Sequence, residues 1–599
     1  MTPAPQPATP STFGKPAVDR LAKAAAGVIA AIVLLAGALQ LTRPGYSVDE
    51  EFTVFAVRGI QAHGVPLLPS GLLYDRGLAY SYASWVAGAV AGSELPAYRA
   101  LSLACAALSV WLTFLLVARS SPVNAALVAS LLVTTSVPFW ATATSGRFYA
   151  PFLAAFLAVQ LALSTLRTTC TPRTVGTIVV LSAFARWTHE LAFLCAAVPA
   201  FFWVTSRGDR RRSLLGTIAV GAGLLAAQSV MFALHYFAPS SGETMVRRFF
   251  LWQVLNLFER PADRQFMIPI VVMAIAWIVA PARARLVSVI ALSLSAMTLT
   301  YSLARATNSA PLSRQLVEAI LFEGSRYPLD MLWHIARTTP LTLSLAIVAL
   351  VTRISGLGGT WPRRERILHL LWIGWVLWFG VIDSGITTNY LLLPVSFMLM
   401  AIAVDAYAVL IAPDAPARRY FSVPKRVAVA AVIALAAQIA LDQWRGADSM
   451  TARLEGARPT IHAPEIAGIR DGLQPSDRVV CTDELGCLML IGRIDRWLAL
   501  DDFVRERFLV RRGDAPVSGV YTGVPAAFRP ADLFAPNPDG TFPGRILIVD
   551  IFKDYPIGNS RSWLPRAIEE DGLPVVPLVE TPQMRAIEVL LPERAALLR

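Results

Sequence analysis

Charge is scarce in this chain. Only 16% of its 599 residues are Asp, Glu, Lys or Arg, while 55% are hydrophobic. An ordinary soluble enzyme carries roughly a quarter charged residues, so that class is excluded. A mean hydropathy of +0.54 agrees. Five cysteines are few. Cys105 and Cys195 fall inside apolar runs, where a buried small side chain is the default, and Cys170 falls in a short loop. Cys481 and Cys487 are close enough to pair in an oxidising compartment or to remain two thiols, and spacing does not choose between these. A glycine-rich phosphate loop is lacking too, since DGTFPGR at Asp539 to Arg545 is a turn and not a GxGxxG fingerprint. No internal repeat is visible.

Long apolar runs are what the chain has instead. Many approach the roughly 20 residues that cross a bilayer. They fall at Leu21 to Leu41, Ala97 to Ala118, Val123 to Trp140, Tyr149 to Leu166, Val175 to Phe184, Leu191 to Val204 and Leu214 to Phe237. The series continues at Met267 to Ala280, Leu286 to Leu303, Thr338 to Thr352, Ile367 to Ile382, Tyr390 to Ile411 and Val427 to Leu441. This predicts a polytopic α-helical membrane protein with about 11–13 transmembrane helices. The first run acts as an uncleaved anchor, and residues 1–20 before and at its start form a disordered cytoplasmic tail.

The net charge of +12 would suit nucleic acid, but its distribution does not. Arg and Lys concentrate in alternate short loops: Arg119, Arg167 and Arg173, Arg207 to Arg212, Arg283 and Arg285, Arg353 with Arg363 to Arg366, and Arg418 to Arg426. Those loops are cytoplasmic by the positive-inside rule. The N-terminus, with Lys15, Arg20 and Lys23, is then inside and the C-terminal segment outside, with no nucleic-acid partner.

Three outer segments are too long to be turns: 42–96, 238–264 and 304–337. The first holds EEFTVFAVRGIQAHG, whose Phe52, Phe55, Ala56, Gly59 and Ile60 recur at helical spacing, a pattern expected of a helix along the outer membrane surface. In the second, MVRRFFLWQVLNLFER also reads as interfacial. From about residue 445 to 599 apolar residues come in strand-length runs. RVVCT, RWLAL, RILIVDIF and MRAIEVLL read as strands and EIAGIRDGL and WLPRAIEEDG as helices, a small C-terminal soluble α/β domain on the outer side.

Where the first span emerges stands YSVDEEF, with Asp49, Glu50 and Glu51 together. Glu51 reads as solvated. Asp49 and Glu50 sit at the mouth of the bundle, where a carboxylate can take a proton from a hydroxyl or accompany a divalent cation. No metal ligand is named by the sequence, and the metal requirement stays open.

Further on come GLLYDRGLAYSYASWVAG, then SELPAYRALSLACAALSV, then SGRFYAPFLAAFLA, and late in the chain TTNYLLLPVSFMLMAIA. In this order and topology the membrane part resembles the GT-C superfamily of glycosyltransferases. It is most like the branch of protein O-mannosyltransferases and lipid A aminoarabinose transferases. The matching residues are Asp49 and Glu50, then Tyr74, Arg76, Tyr80 and Tyr82, then Arg99, with Arg147 and Tyr390 in the later motifs. The resemblance implies a GT-C fold. It also implies an enzyme that moves a sugar from a polyprenyl-phosphate donor to a lipid, glycan or protein acceptor at the outer face of a bacterial inner membrane, usually with inversion. Asp49 would be the general base and Glu50 would position it or the sugar. Arg147, Arg76, Arg247, Arg248, Arg305 and Arg326, with Tyr74, Tyr149 and Tyr390, would hold the phosphate side, since the planar guanidinium binds phosphate oxygens in pairs. His189 and Glu190, costly together near a membrane, join Tyr80 and Tyr82 as candidates for sugar or acceptor contact. Two departures stand out: SGRFYAP carries no acidic residue, and Asn389 precedes Tyr390 where relatives often have Arg. Asp483, Glu484, Asp501 and Asp502 read as surface residues. A transporter or lipid flippase would place ionisable residues within several spans. The sequence suggests that charges keep to the loops, and product analysis separates a glycan ligase.

Overall fold

The computed structural model describes residues 16–42, 49–205, 210–237, 335, 339–354, 363–381, 388–412, 424–456, 464–498, 509–510, 516–528, 530–536, 541–551, 574–580 and 584–590. The loop at 238–264, the loop at 304–337 except residue 335, the two spans between them, and Arg247, Arg248, Arg305 and Arg326 lie outside the described residues.

The first helix, α1 (Pro16–Ala38), already begins within the stretch expected as a tail, with Pro16 in its first turn where a missing N–H costs nothing. Then come α2 (Glu50–His63), α3 (Leu78–Ala91), α4 (Leu95–Ala118), α5 (Val123–Thr135), α6 (Val137–Ala143), α7 (Tyr149–Leu166) and α8 (Pro172–Thr188). A 3-10 segment at Glu190–Ala196 leads into α9 (Ala197–Thr205) and α10 (Arg210–Phe237). The later helices are α11 (Pro340–Ile354), α12 (Arg363–Val381), α13 (Leu392–Ala406) and α14 (Lys425–Gly456). Among the described residues six helical segments are long and apolar enough to cross a membrane, and α5 with α6 makes a seventh if that bent pair is one span. The chain is a multi-pass membrane protein. Leu35, Val180, Leu225, Phe232 and Ile433 turn outward, as helices solvated by lipid require, while Phe152, Phe156, Trp375 and Phe397 interlock inside.

The third apolar run is not one straight helix. It bends by 67° between α5 and α6, where Ser136 is extended and Pro138 lies in the first turn of α6. The freed backbone groups find partners: the Trp140 indole donates to the Thr134 carbonyl at 2.7 Å, and the Val137 amide donates to Gln443 Oε1 at 3.1 Å.

Charges do not all keep to the loops. Arg353, His369 and Asp405 are buried on α11, α12 and α13. Arg353 Nε lies 2.7 Å and His369 Nε2 2.8 Å from the Asp405 carboxylate. They neutralise and hydrogen-bond one another, which makes their burial tolerable and joins three helices. The sequence could not pair residues this far apart.

The C-terminal domain contains α15 (Pro464–Asp471), β1 (Asp477–Cys481), α16 (Glu484–Leu490), β2 (Arg496–Leu498), β3 (Leu509–Val510), β4 (Ser518–Gly519), β5 (Ala526–Ala527), β6 (Arg545–Ile551), β7 (Val575–Glu580) and β8 (Met584–Val589). Its main sheet runs β5-β2-β1-β6-β8-β7, parallel from β5 to β6 and antiparallel beyond. Central β1 is buried along its whole length, which explains its apolar run. β7, with Pro577, occupies an edge, where a strand proline loses no ladder bond. The sequence reading missed β7 and the short β3, β4 and β5, while the helix expected in WLPRAIEEDG lies outside the described residues.

Cys481 at the end of β1 and Cys487 in α16 form a disulfide, with Cα atoms 6.3 Å apart. Closing so short a loop stabilises by about 2 kcal/mol in the chain-entropy account. Cys481→Ser is therefore expected to lower the free energy of unfolding of this domain by that amount, measured by denaturant titration followed by tryptophan fluorescence.

Helix α2 differs from its expectation. It does not lie open on a membrane surface; it is packed between the bundle and the C-terminal domain. Phe52, Phe55 and Ala56 join the core of the bundle. Val54 and Val57 join Cys481, Cys487, Leu490 and Ile491 of the C-terminal domain. Apolar residues on two faces let one short helix serve both cores.

Candidate active site

The mouth of the bundle is built where the N-terminus of α2 meets the α6–α7 turn. Asp49 caps α2, and its side chain is 31% exposed. Glu50 behind it is buried and bidentate with Arg99 of α4: Arg99 Nε and Nη2 each lie 2.8 Å from a Glu50 oxygen. Glu50 Oε1 also accepts the Gly146 amide at 2.6 Å. One carboxylate thus ties α2, α4 and the turn before Arg147 together, and Gly146 comes close enough because it has no side chain.

Arg147 is 2% exposed. Its Nη1 donates to the Tyr74 hydroxyl at 2.7 Å, its guanidinium carbon sits 4.5 Å from the Phe148 ring centroid, and Nη2 is 4.0 Å from Asp49 Oδ1. Among the described residues its Nε has no hydrogen-bond partner, so a buried charge retains an unused donor. Tyr74, in the loop after α2, has its phenol pKa raised by burial. Beside these, Arg76 Nε lies 2.9 Å from Glu190 Oε1 and Arg76 Nη2 donates to the Tyr390 hydroxyl. Tyr390 meets Tyr149 edge-on at 5.7 Å.

Of the residues singled out from sequence, the fold therefore brings together Asp49, Arg147, Tyr74, Arg76, Tyr149, Tyr390, His189 and Glu190. His189 is enclosed by Phe148, Phe152 and Tyr149. Its Nδ1 accepts the Leu191 amide at 3.1 Å, so it caps the 3-10 segment. Tyr82 stands apart, whereas Tyr80 reaches the site through Ser102, whose hydroxyl donates to the Arg147 carbonyl at 2.9 Å. The Tyr80 hydroxyl donates to the Tyr98 carbonyl at 2.7 Å and bonds Ser102, and Tyr82 donates to the Gly64 carbonyl at 2.9 Å. Tyr80 thus fixes α3 on α4, and Tyr82 holds the end of α2.

Gly77 sets the approach of Arg76. Its φ is +72°, and a Cβ there would meet Phe148 Cδ1 at 2.4 Å. Gly77→Ala is expected to cost about 1–3 kcal/mol, read as a lower thermal midpoint of the detergent-solubilised protein.

Three expectations fail here. Glu51 is not solvated; it is 2% exposed and packed under the C-terminal domain. Glu484 is not a surface residue either, and Asp483 is half-buried. Asp483 caps α16 by accepting the Gly486 amide at 3.2 Å, and Glu484 is 3% exposed. Sequence reasoning also missed Phe52 and Tyr521. Phe52 stacks on Tyr74 with centroids 5.8 Å apart, and Tyr521 of the C-terminal domain meets Phe52 edge-on at 4.9 Å. A loop of that domain thus stands behind the aromatic wall on which Arg147 rests. No local signal marks Tyr521, whose only relation to Phe52 is tertiary. Among the described residues no three His, Cys, Asp or Glu side chains converge as a metal would need.

No protein-family model and no curated protein sequence matches the chain significantly. Solved structures do. The crystal structure of ArnT from Cupriavidus metallidurans bound to undecaprenyl phosphate superposes with a TM-score of 0.50 at 11% identity, over 94% of this chain and 97% of that one. Archaeal oligosaccharyltransferase AglB from Archaeoglobus fulgidus, in complex with an inhibitory peptide and a dolichol-phosphate, gives 0.48 at 12% identity, over 88% of this chain and 69% of that one. The first likeness, over nearly the full length of both chains, shows that this chain shares the fold of that ArnT structure.

Proposed function

We propose that the protein is a glycosyltransferase of the GT-C kind that moves a sugar from a polyprenyl-phosphate donor to a hydroxyl-bearing acceptor at the outer face of a bacterial inner membrane. The observation that carries this reading is the pairing of a partly exposed carboxylate, Asp49, with a buried guanidinium, Arg147, that retains an unused donor, 4.0 Å apart at the mouth of the bundle. The fold shared with ArnT bound to undecaprenyl phosphate supports the choice of donor.

The chemistry follows from charge. Asp49 takes the acceptor's hydroxyl proton, and the acceptor oxygen forms a bond to the anomeric carbon from the side opposite the phosphate. The bond from that carbon to the phosphate oxygen breaks, and the polyprenyl phosphate leaves with the electron pair. Arg147 and Arg76 receive the developing negative charge, and their aromatic surroundings exclude water and strengthen the attraction. In-line attack inverts the anomeric centre. Tyr74, Tyr149 and Tyr390 orient the two guanidinium groups and offer hydroxyls to the sugar. Glu50 acts behind Asp49 by fixing the start of α2. The N-terminus lies in the cytoplasm and the C-terminal domain outside, as the alternating positive loops require.

The test is transfer of radiolabelled sugar from a panel of polyprenyl-phosphate sugars to membrane acceptors. Transfer from one of them, with inversion seen by NMR of the product, is expected; no transfer from any donor overturns the reading. Within that assay Arg147→Met is expected to raise the donor KM by about tenfold to hundredfold, because charged hydrogen bonds to phosphate are lost, with a smaller effect on acceptor KM.

A further inference from the structure

The seam between the C-terminal domain and the loop after α2 is closely fitted. The Ser70 amide donates to the Tyr521 carbonyl at 3.0 Å, and the Ser70 hydroxyl donates to the Val520 carbonyl at 2.6 Å. At its centre lies a carboxyl group with an unusual setting. The Thr522 amide donates to Glu484 Oε2 at 3.0 Å and the Thr522 hydroxyl donates to the same oxygen. Gly519 presses against the carboxyl so closely that an added Cβ would overlap it. Among the described residues Glu484 Oε1 is buried with no partner, and so is Oε2 of Glu51, the residue two positions after Asp49.

The charged surroundings are one-sided. Glu484 faces Asp483 on its own segment, and Asp483 and Glu484 both act on Glu51 across the seam, as does Asp49. Arg147 is the cation that acts on Glu51. The Cys481–Cys487 disulfide closes the loop that carries both acids, so they are presented as a fixed pair.

We propose that Glu484, in its protonated form, is a positioning residue: through Thr522 it holds loop 518–524 of its own domain where that loop is hydrogen-bonded to Ser70, after the helix that begins at Asp49, and ionisation of Glu484 releases the loop. A neutral carboxyl can be buried beside two other acids, whereas a carboxylate there meets repulsion from Asp483 and Glu51 and loses its hydration. What moves on release is this loop, whose Tyr521 supports Phe52 and hence the Tyr74–Arg147 arrangement.

The pH window follows from the direction of the shifts. Burial raises Glu484 to about 8 and Asp483 to about 6, and burial raises Glu51 well above the usual carboxylate range. Groups raised in the docked state bind more protons there than in the released state. Docking is therefore complete at low pH and is lost as pH rises through about 8.

The inference rests on the proposed glycosyl transfer only for its effect on activity; docking itself is read without any substrate. Hydrogen exchange at the Ser70 and Thr522 amides, corrected for intrinsic rates, is followed from pH 6.5 to 9.5 in wild type, Glu484→Gln and Glu484→Ala. Wild type is expected to lose protection by about tenfold or more across that range. Glu484→Gln, which keeps a neutral acceptor for Thr522, is expected to lose clearly less protection than wild type, with Glu51 as the remaining titrating group, and Glu484→Ala is unprotected even at pH 6.5. Equal loss in wild type and Glu484→Gln, or no loss in wild type, overturns the proposal. In the transfer assay the alkaline fall in kcat of wild type should be reduced in Glu484→Gln; an identical alkaline limb in both also overturns it. If no donor is turned over by any variant, the glycosyltransferase reading fails while the exchange data still decide the docking.

Discussion

Asp49→Asn is expected to lower sugar transfer by about 10²–10⁴-fold, the range attributable to a general base, with donor binding retained. Asparagine matches aspartate in size but cannot take a proton at neutral pH. The side chain is partly exposed and makes no side-chain cap hydrogen bond to α2, and asparagine there keeps its shape. The measurement is kcat with a saturating polyprenyl-phosphate sugar beside the Kd for that donor. Loss of kcat with unchanged Kd identifies the base. Equal activity in the two proteins removes Asp49 from the mechanism and, with it, the assignment of the acidic stretch after the first span.

Its neighbour should behave differently. Glu50→Gln is expected to destabilise the protein by about 3–5 kcal/mol, because it leaves the Arg99 guanidinium buried beside a neutral amide. Arg99→Met alone should cost a similar amount by stranding the Glu50 carboxylate. The two changes together should cost much less than their sum, since no unpaired charge remains. Chemical denaturation in detergent checks the cycle. Transfer is expected to stay low in the double variant even where stability returns. Glu50 also receives the Gly146 amide and so sets the turn that presents Arg147. Additive losses in the cycle would mean that the pair is not the coupled unit the geometry describes.

These two adjacent acids show how far sequence reaches. Both were visible as candidates, and so was Arg99, but only the tertiary structure pairs Glu50 with Arg99 and leaves Asp49 toward solvent. Residues 49 positions apart carry no local signal of contact. The same holds for Arg147 and Tyr74, which were read as separate motif members and share a 2.7 Å hydrogen bond. Errors arose where burial came from another domain. Glu51, Asp483 and Glu484 are acids in polar-looking stretches, and propensity alone assigns such residues to the surface.

The sequence by itself determined that the chain crosses a membrane several times, because runs of apolar residues have no other stable solvent. It also determined that an α/β domain follows, because strand-length apolar runs need a sheet to bury them. Only the tertiary structure decided that α2 is enclosed between these two parts and that the C-terminal domain supplies Tyr521 and Glu484 beside the candidate site. Amphipathic pattern says which faces of a helix are buried, but not against what. The identity of the covering surface is set by long-range packing, which local periodicity does not encode.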